Sequence, residues 1–332
     1  MTQVTGERRV CVTGANGFIG SWLVRALLAK GYTVHGTHAP GTPTSHLRSL
    51  PGADSRLLLS EADLLDSNAF RAPIKGCSGV FHVASPCTLA TPQNPDLELI
   101  QPALQGTLNV LQAAAASAAT IRRVVITASI SSLIPNPSWA ARNEPVDESS
   151  WTDIDYCKAH QEWYPLSKTL AEKAAWDFAG KHGLDMVTIH PSTCIGPLLQ
   201  PGLNASSAVL LQLLQGSQDT QGDHYLGCVH VQDVADAHVL AFETPMASGR
   251  YLCTNGIYQF KHFAEKVAEL CPQFPVHRFS EDTQPGLVAC RDAAKRLISL
   301  GLAFRPIEEA VRDAVECFKA NGFLEGQLQK QN

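Results

Sequence analysis

The chain lacks a charge excess of either sign. Its 26 Lys and Arg stand against 31 Asp and Glu, a net charge of −5 over 332 residues, with no basic run. That balance provides no electrostatic footprint for nucleic acid or an anionic membrane. No apolar stretch has the length of a membrane-spanning helix. Only nine residues precede the first apolar run, which leaves no room for a secretory leader, and the terminal Gln329-Lys330-Gln331-Asn332 matches no targeting tail. The ten cysteines form no C-x-x-C pair and no cysteine/histidine cluster at zinc spacing, so no metal site is expected. Reduced thiols in a cytoplasmic protein are expected instead. Cys11, Cys77, Cys194 and Cys253 sit among apolar residues as small core fillers, and Cys157, seven residues before Tyr164, is the candidate for oxidation. Internal repeats, long linkers and low-complexity tracts are also missing.

What is present is an ordinary globular composition, 45% hydrophobic and 17% charged, long enough for one large α/β unit with a smaller partner lobe. Its first organised stretch is Arg9 to Gly20. Val10 to Thr13 suits a buried strand, and Gly14, Gly17 and Gly20 then open a helix with an apolar face of Ile19, Trp22, Leu23, Ala26 and Leu27. Gly31 ends it. A strand, a glycine turn and a helix N-terminus direct backbone N–H groups and the positive helix end at a pyrophosphate. The spacing is G-x-x-G-x-x-G, and its bland alternative is a tight turn with no ligand.

Strands follow at 33–37, 57–59, 80–84 and 124–128, with an alanine-rich helix over 102–119 in which Asn109 reads as a helix-surface amide. Strand–helix alternation up to Ile189 predicts a doubly wound parallel sheet, with ligands at the carboxyl ends of its strands. Ser85, Thr127, Ser129 and the 190–199 segment map there. The second strand ends in Thr37-His38-Ala39, with neither the acid that binds the ribose 2′-OH of NAD nor the arginine that binds the 2′-phosphate of NADP. Asp63, past the third strand, either accepts from an adenine amino group or caps the next helix. After Pro191 the pattern loosens into helices at 207–215, 260–270, 291–300 and 306–320, with a strand at 251–253. The expected division is a nucleotide-binding domain over 1–190 with 224–254 returning to it, a substrate lobe from 191–223 and 255–325, and a tail at 326–332.

Tyr164 and Lys168 stand four apart at the start of a long helix and share a face. A free tyrosine, with a pKa of about 10, is a sluggish acid. An ammonium one turn away lowers that value and makes proton exchange practicable. Ser129 is then placed to hold a carbonyl beside the phenol. Lys168 can also bind the nicotinamide ribose. His190, His230 and His238 read as satisfied structural histidines.

Thr-Gly-x-x-Gly-x-x-Gly, Asp147-Glu148-Ser149-Ser150-Trp151 and Ser167-Lys168-Thr169-Leu170-Ala171-Glu172 resemble the extended short-chain dehydrogenase/reductases. The plant group of dihydroflavonol reductases, cinnamoyl-CoA reductases and related aldehyde reductases is the most similar. The segments 201–206 and 247–252 carry the resemblance across nearly the whole chain. It implies an extended Rossmann fold and NADP(H)-dependent carbonyl reduction by Ser129, Tyr164 and Lys168, with NAD(H) left open by the missing arginine. It also implies cofactor contacts at Phe18, Ile19, Asp63, Leu64, Val83, Ala84, Pro191 and Thr193, beside Gly14, Gly17, Gly20, Ser85 and Thr127. The family's arginine after the second strand is absent. Val209 and Gln212 stand where cinnamoyl-CoA reductases carry a His and a Lys held to contact CoA, and only Arg250 of that set remains. Ile134 replaces an asparagine that reads flavonoid hydroxyls. A pocket of Ile134, Leu198, Leu199 and Val209 suits an apolar aromatic or alkyl carbonyl, with Cys194 either touching substrate or packed away.

The expected activity is therefore reduction of a small-molecule aldehyde or ketone of phenylpropanoid type by a monomer or weak homodimer. Cinnamoyl-CoA or dihydroflavonol reduction is the nearest alternative. A nucleotide-sugar epimerase or dehydratase is less suited, because the 206–214 segment offers little for a diphosphate. A nucleotide sensor or scaffold would not need the intact Ser129, Tyr164 and Lys168.

Overall fold

The structure, a computed structural model, describes residues 8–86, 92–138, 146–216, 225–276 and 293–324. Its organising element is a seven-stranded, wholly parallel sheet in the order β3-β2-β1-β4-β5-β6-β9. The strands are β1 (Arg9–Thr13), β2 (Thr33–His38), β3 (Leu57–Glu61), β4 (Gly79–His82), β5 (Arg123–Thr127), β6 (Met186–Pro191) and β9 (Gly249–Cys253). Val10, Cys11 and Val12 are fully buried, as expected of a strand covered on both faces. The strand order reverses between β1 and β4, where Thr13 lies beside His82, and such a reversal opens a crevice at the carboxyl ends.

Helix α1 (Phe18–Ala29) connects β1 to β2 and buries Trp22, Leu23, Val24, Leu27 and Leu28. Each such side chain contributes about 1.5–3 kcal/mol by leaving water. Helix α2 (Gln101–Ala116) precedes β5, and α3 (Trp163–His182) precedes β6; the two pack along each other. Helix α3 begins at Trp163, which puts both Tyr164 and Lys168 on it, near its start. Pro165 does not interrupt it, because the N–H groups of a first turn have no intrahelical acceptor.

Beyond β6 the chain builds a small three-stranded sheet, β10-β8-β7, from β7 (Thr193–Ile195), β8 (Tyr225–His230) and β10 (Ile257–Gln259). Around it stand α4 (Ala205–Leu214), α6 (Phe260–Leu270) and α7 (Ile307–Ala320), while a short helical turn at Lys295–Ser299 lies against β9 of the large sheet. Helix α5 (Val231–Glu243) instead lies against α1. Of the 224–254 stretch, α5 and β9 serve the large sheet and β8 the small one. The sequence reading missed β7, β8, β10 and α5. The three strands are short or flanked by helix, and α5 is capped by His230, whose Nδ1 accepts from Gln232 N–H, a residue type outside the usual capping set. One apolar cluster runs from Val12 and Phe81 through Leu213 and Phe263 to Phe318, so the two sheets share a core. The tail at 326–332 lies outside the described residues.

Candidate active site

The site is built around the turn after β1. Gly14 has φ +64°, and a Cβ there would lie 2.8 Å from the Cα of Ala84. A Cβ on Gly20 would lie 2.0 Å from the Gly14 carbonyl oxygen. These two glycines let α1 and the end of β4 close onto the turn. Gly17 differs: its hypothetical Cβ meets only the Gly14 oxygen, at 3.4 Å, and the residue is exposed. It caps α1 with no side-chain hydrogen bond, and no acid sits in the first turn. The positive helix end beside Gly17, Phe18 and Ile19 is thus left for an external anion, which suits the pyrophosphate of a dinucleotide.

Val83 and Ala84 are fixed in this crevice from beneath, since Thr13 Oγ1 accepts from both of their backbone N–H groups at 3.1 Å. Ser85, half-buried, continues the same strand end. At the adenosine end, Asp63 is exposed and its Oδ1 accepts from Leu65 N–H at 2.9 Å; no helix starts there, so the capping alternative is not realised. Asn109 is not a surface amide. It is 1% exposed, donates to the Leu64 carbonyl at 2.8 Å and accepts from Gln105, holding the 63–64 loop against α2. A polar side chain at an inward helical position was the signal for this. Past β2, His38 is half-buried with Nδ1 near the Ala39 carbonyl, Ala39 is exposed, and Glu61 accepts from Gly41 N–H.

The chemistry-bearing residues gather at the carboxyl end of β5. Ser129 is 9% exposed and caps a short helical turn, its Oγ accepting from Ser131 N–H at 3.1 Å while its own hydroxyl proton remains to donate. Lys168, 7% exposed, donates from Nζ to the Thr127 carbonyl at 3.0 Å. Tyr164, half-buried, precedes it by one turn on α3, which packs against the Ile130–Ser132 turn. A small cavity lined by His82, Ser85, Thr107, Thr127, Lys168 and Glu172 lies beside the lysine. The Thr127 hydroxyl donates to His238 Nε2 at 2.7 Å, because His238 Nδ1–H is given to the Val234 carbonyl. Burial pushes His238 down to about 4, so it stays neutral.

His230 bonds Gln232 N–H with Asp313 3.4 Å away, which suits a structural role, whereas His190 is satisfied only at Nε2, by Glu172, and its buried Nδ1 has no hydrogen-bond partner among the described residues. Glu172 is held below the usual carboxylate range: burial alone would raise it, and His190 and Arg250 outweigh that. Arg250, the remaining residue of the inferred CoA set, is buried and bonded to Glu172. Cys157 is fully buried, and burial, with Glu162 and Asp153, pushes its thiol up to about 11, which disfavours the reactive thiolate.

Pro191 is buried at the end of β6 and Thr193 half-buried on β7. Cys194 is 4% exposed, donates to the Ser192 carbonyl and packs in the shared core, as a filler would. Leu199 and Val209 are half-buried against that core, whereas Ile134 packs with Leu133, Val146 and Leu252 in a separate cluster. Among the described residues no helix is long and apolar enough to cross a membrane, and no cluster of three His, Cys, Asp or Glu side chains is arranged to hold a metal.

Comparison with known proteins agrees with this geometry. Residues 10–253 match the NAD dependent epimerase/dehydratase family. Cinnamoyl-CoA reductase 2 of Medicago truncatula is 42% identical over 322 residues, covering 96% of this chain and 94% of the relative. Vestitone reductase of alfalfa superposes with a TM-score of 0.81 at 32% identity, over 95% of this chain and 99% of that one. The yeast methylglyoxal/isovaleraldehyde reductase Gre2, complexed with NADPH, gives 0.81 at 25% identity over 95% and 99%. The chain belongs to the NAD dependent epimerase/dehydratase family, within its extended short-chain reductases and beside the plant cinnamoyl-CoA reductases.

Proposed function

We propose that the protein is an NADP(H)-dependent reductase of a small aromatic or alkyl aldehyde or ketone. The observation that carries this reading is the convergence of Ser129, Tyr164 and Lys168 at the carboxyl end of β5, across the crevice from an open glycine turn. The yeast relative's NADPH and the reductase activities named for all three relatives support it. Gly14, Gly17 and Gly20 would hold the pyrophosphate, Asp63 and Leu64 the adenine end, and Val83, Ala84, Ser85, Thr127, Pro191 and Thr193 the remainder.

Bound there, the nicotinamide supplies the hydride. Ser129 Oγ donates a hydrogen bond to the substrate's carbonyl oxygen and so fixes the carbonyl carbon's position. Tyr164 gives that oxygen its proton as the alcohol forms. The Lys168 ammonium, one helical turn from Tyr164, favours the phenolate left behind, and its bond to the Thr127 carbonyl fixes it at the carboxyl end of β5. Residues 1–190 and 224–254 would form the nucleotide-binding half, and 191–223 with 255–325 the substrate half.

Cinnamoyl-CoA reduction is the second reading, favoured by the Medicago relative's activity. Against it stand the uncharged Val209 and Gln212 and a buried, engaged Arg250, which leave no cation of that set for a polyanionic CoA. The test is NADPH oxidation by purified protein on cinnamaldehyde, cinnamoyl-CoA and a dihydroflavonol in parallel. Turnover of the aldehyde at least tenfold above the thioester supports the proposal; equal or greater thioester turnover makes the second reading the better one.

A further inference from the structure

Arg250 extends from β9 into the protein interior. It is 8% exposed, and its guanidinium carbon lies 3.8 Å from the centre of the Trp151 ring. Four of its five N–H groups have protein partners. Nε donates to Glu172 Oε1 at 2.7 Å and Nη2 to Oε2 at 3.2 Å, while Nη1 donates to the carbonyls of Glu148, at 2.9 Å, and Ser150.

Those partners lead in two directions. Glu172 lies on α3, one turn past Lys168 and two past Tyr164, and is 3% exposed. Ser150 belongs to the segment behind the Ser129 turn. From that segment Thr152 donates its N–H to the Ser132 carbonyl at 3.1 Å and its hydroxyl to the Ser131 carbonyl at 2.8 Å, and Asp153 N–H donates to the Pro135 carbonyl at 2.9 Å. Ser131 N–H then donates to Ser129 Oγ. Hydrogen bonds and the Ser150–Thr152 backbone thus join the helix bearing Tyr164 and Lys168 to the turn bearing Ser129 through Arg250. From the same helix the Lys173 ammonium also lies 4.8 Å from the centre of the Trp151 ring, and Lys168 holds the Thr127 carbonyl.

We propose that Arg250 is a positioning residue for carbonyl reduction, locking the Ser129 turn in register with α3, and that it does not bind the anionic part of any substrate. The proposal rests on the catalytic reading of Ser129 and Tyr164 above. The bidentate grip on Glu172, with two further donors on backbone carbonyls, is a geometry that only a guanidinium supplies. A lysine would keep the charge and lose the bridge.

The test uses the full chain with Arg250→Gln, Arg250→Lys and the milder Thr152→Val, which removes only the hydroxyl bond to Ser131. Tyr164→Phe is run in parallel. With NADPH on cinnamaldehyde and cinnamoyl-CoA, both Arg250 variants should lose about 10–100-fold in kcat for whichever substrate is turned over. KM for NADPH and for substrate should move less than about threefold, and Arg250→Lys should not restore kcat. Thr152→Val should show a smaller loss of the same kind. A rise in KM confined to the thioester would overturn the proposal by making Arg250 a CoA contact. Unchanged kcat in a folded Arg250 or Thr152 variant, with melting temperature alone lowered, would reduce the bridge to a stabilising role and also overturn it.

A readout independent of substrate is amide hydrogen exchange. The Ser131 and Ser132 amides should exchange at least tenfold faster in Arg250→Gln or Thr152→Val while NADPH affinity holds, and unchanged exchange in both variants would sink the proposal. If Tyr164→Phe retains full activity, the catalytic reading fails by itself. If Tyr164→Phe is inactive and the Arg250 variants are not, only the positioning role fails.

Discussion

Thr13 and His82 share a hydrogen bond of 2.8 Å between Oγ1 and Nδ1, and their other partners fix the direction of its proton. Thr13 Oγ1 already accepts from the N–H groups of Val83 and Ala84, so its hydroxyl donates to the histidine. His82 therefore carries its proton on Nε2 and donates to Thr107 Oγ1 at 3.1 Å, which in turn donates to the Ala103 carbonyl. The relay ties the end of β1, the crevice wall and α2 together, and it requires a neutral imidazole. A protonated ring would leave the threonine hydroxyl with no acceptor.

Burial, and then the Lys168 charge, push His82 down to about 3. In the unfolded chain the same group titrates near 6.5. Between those values the unfolded state binds the extra proton, so stability is full above about pH 6.5 and falls as pH drops through the window. His238, at about 4, adds in the same sense. Denaturant midpoints between pH 7 and 5, above the range where most carboxylates titrate, should fall steadily. Each such histidine contributes about tenfold in the folding equilibrium per pH unit well below 6.5. His82→Gln should remove one histidine's share of the slope, and an unaltered slope would refute the assignment.

Gly17 and Gly20 separate fold from cofactor. Gly20→Ala places a Cβ 2.0 Å from the Gly14 oxygen, so it should destabilise by about 1–3 kcal/mol or more, as overpacking does. Gly17→Ala makes ordinary contact at 3.4 Å and should change the melting temperature little. Its methyl group lies on the open face of the turn, so KM for NADPH should rise about tenfold or more through the lost phosphate hydrogen bonds. Equal effects of the two variants on melting would contradict this division.

Tyr164→Phe removes the proton donor with almost no change in shape. The expected loss is roughly 10²–10⁴-fold in kcat, with NADPH binding, followed by fluorescence titration, nearly intact. Activity within a factor of three of wild type would rule Tyr164 out as the acid.

Ala39 is exposed at the end of β2, where related sheets place the residue that reads the ribose. Ala39→Arg supplies a bidentate cation for a 2′-phosphate. KM for NADPH should fall roughly tenfold, with KM for NADH moving far less. If both cofactors respond alike, the 2′-phosphate lies elsewhere.

Local pattern alone determined much of this protein. A β-branched run, three glycines at fixed spacing and an apolar helix face specify the turn after β1, because each depends on neighbours within a few residues. Likewise Tyr164 and Lys168 share a face by helical periodicity, whichever way the helix packs. The parallel sheet followed from alternation of strands and helices. Tertiary structure decided the rest, since it depends on contacts between residues distant in the chain. It turned Asn109 from a surface amide into an anchor for Leu64, and Arg250 from a candidate substrate contact into a buried bridge between Glu172 and Ser150. It also set His82 neutral, because the partners that fix its proton come from β1 and α2, 69 residues before it and 25 after. Burial and the identity of such partners are properties of the assembled core, and no spacing along the sequence encodes them.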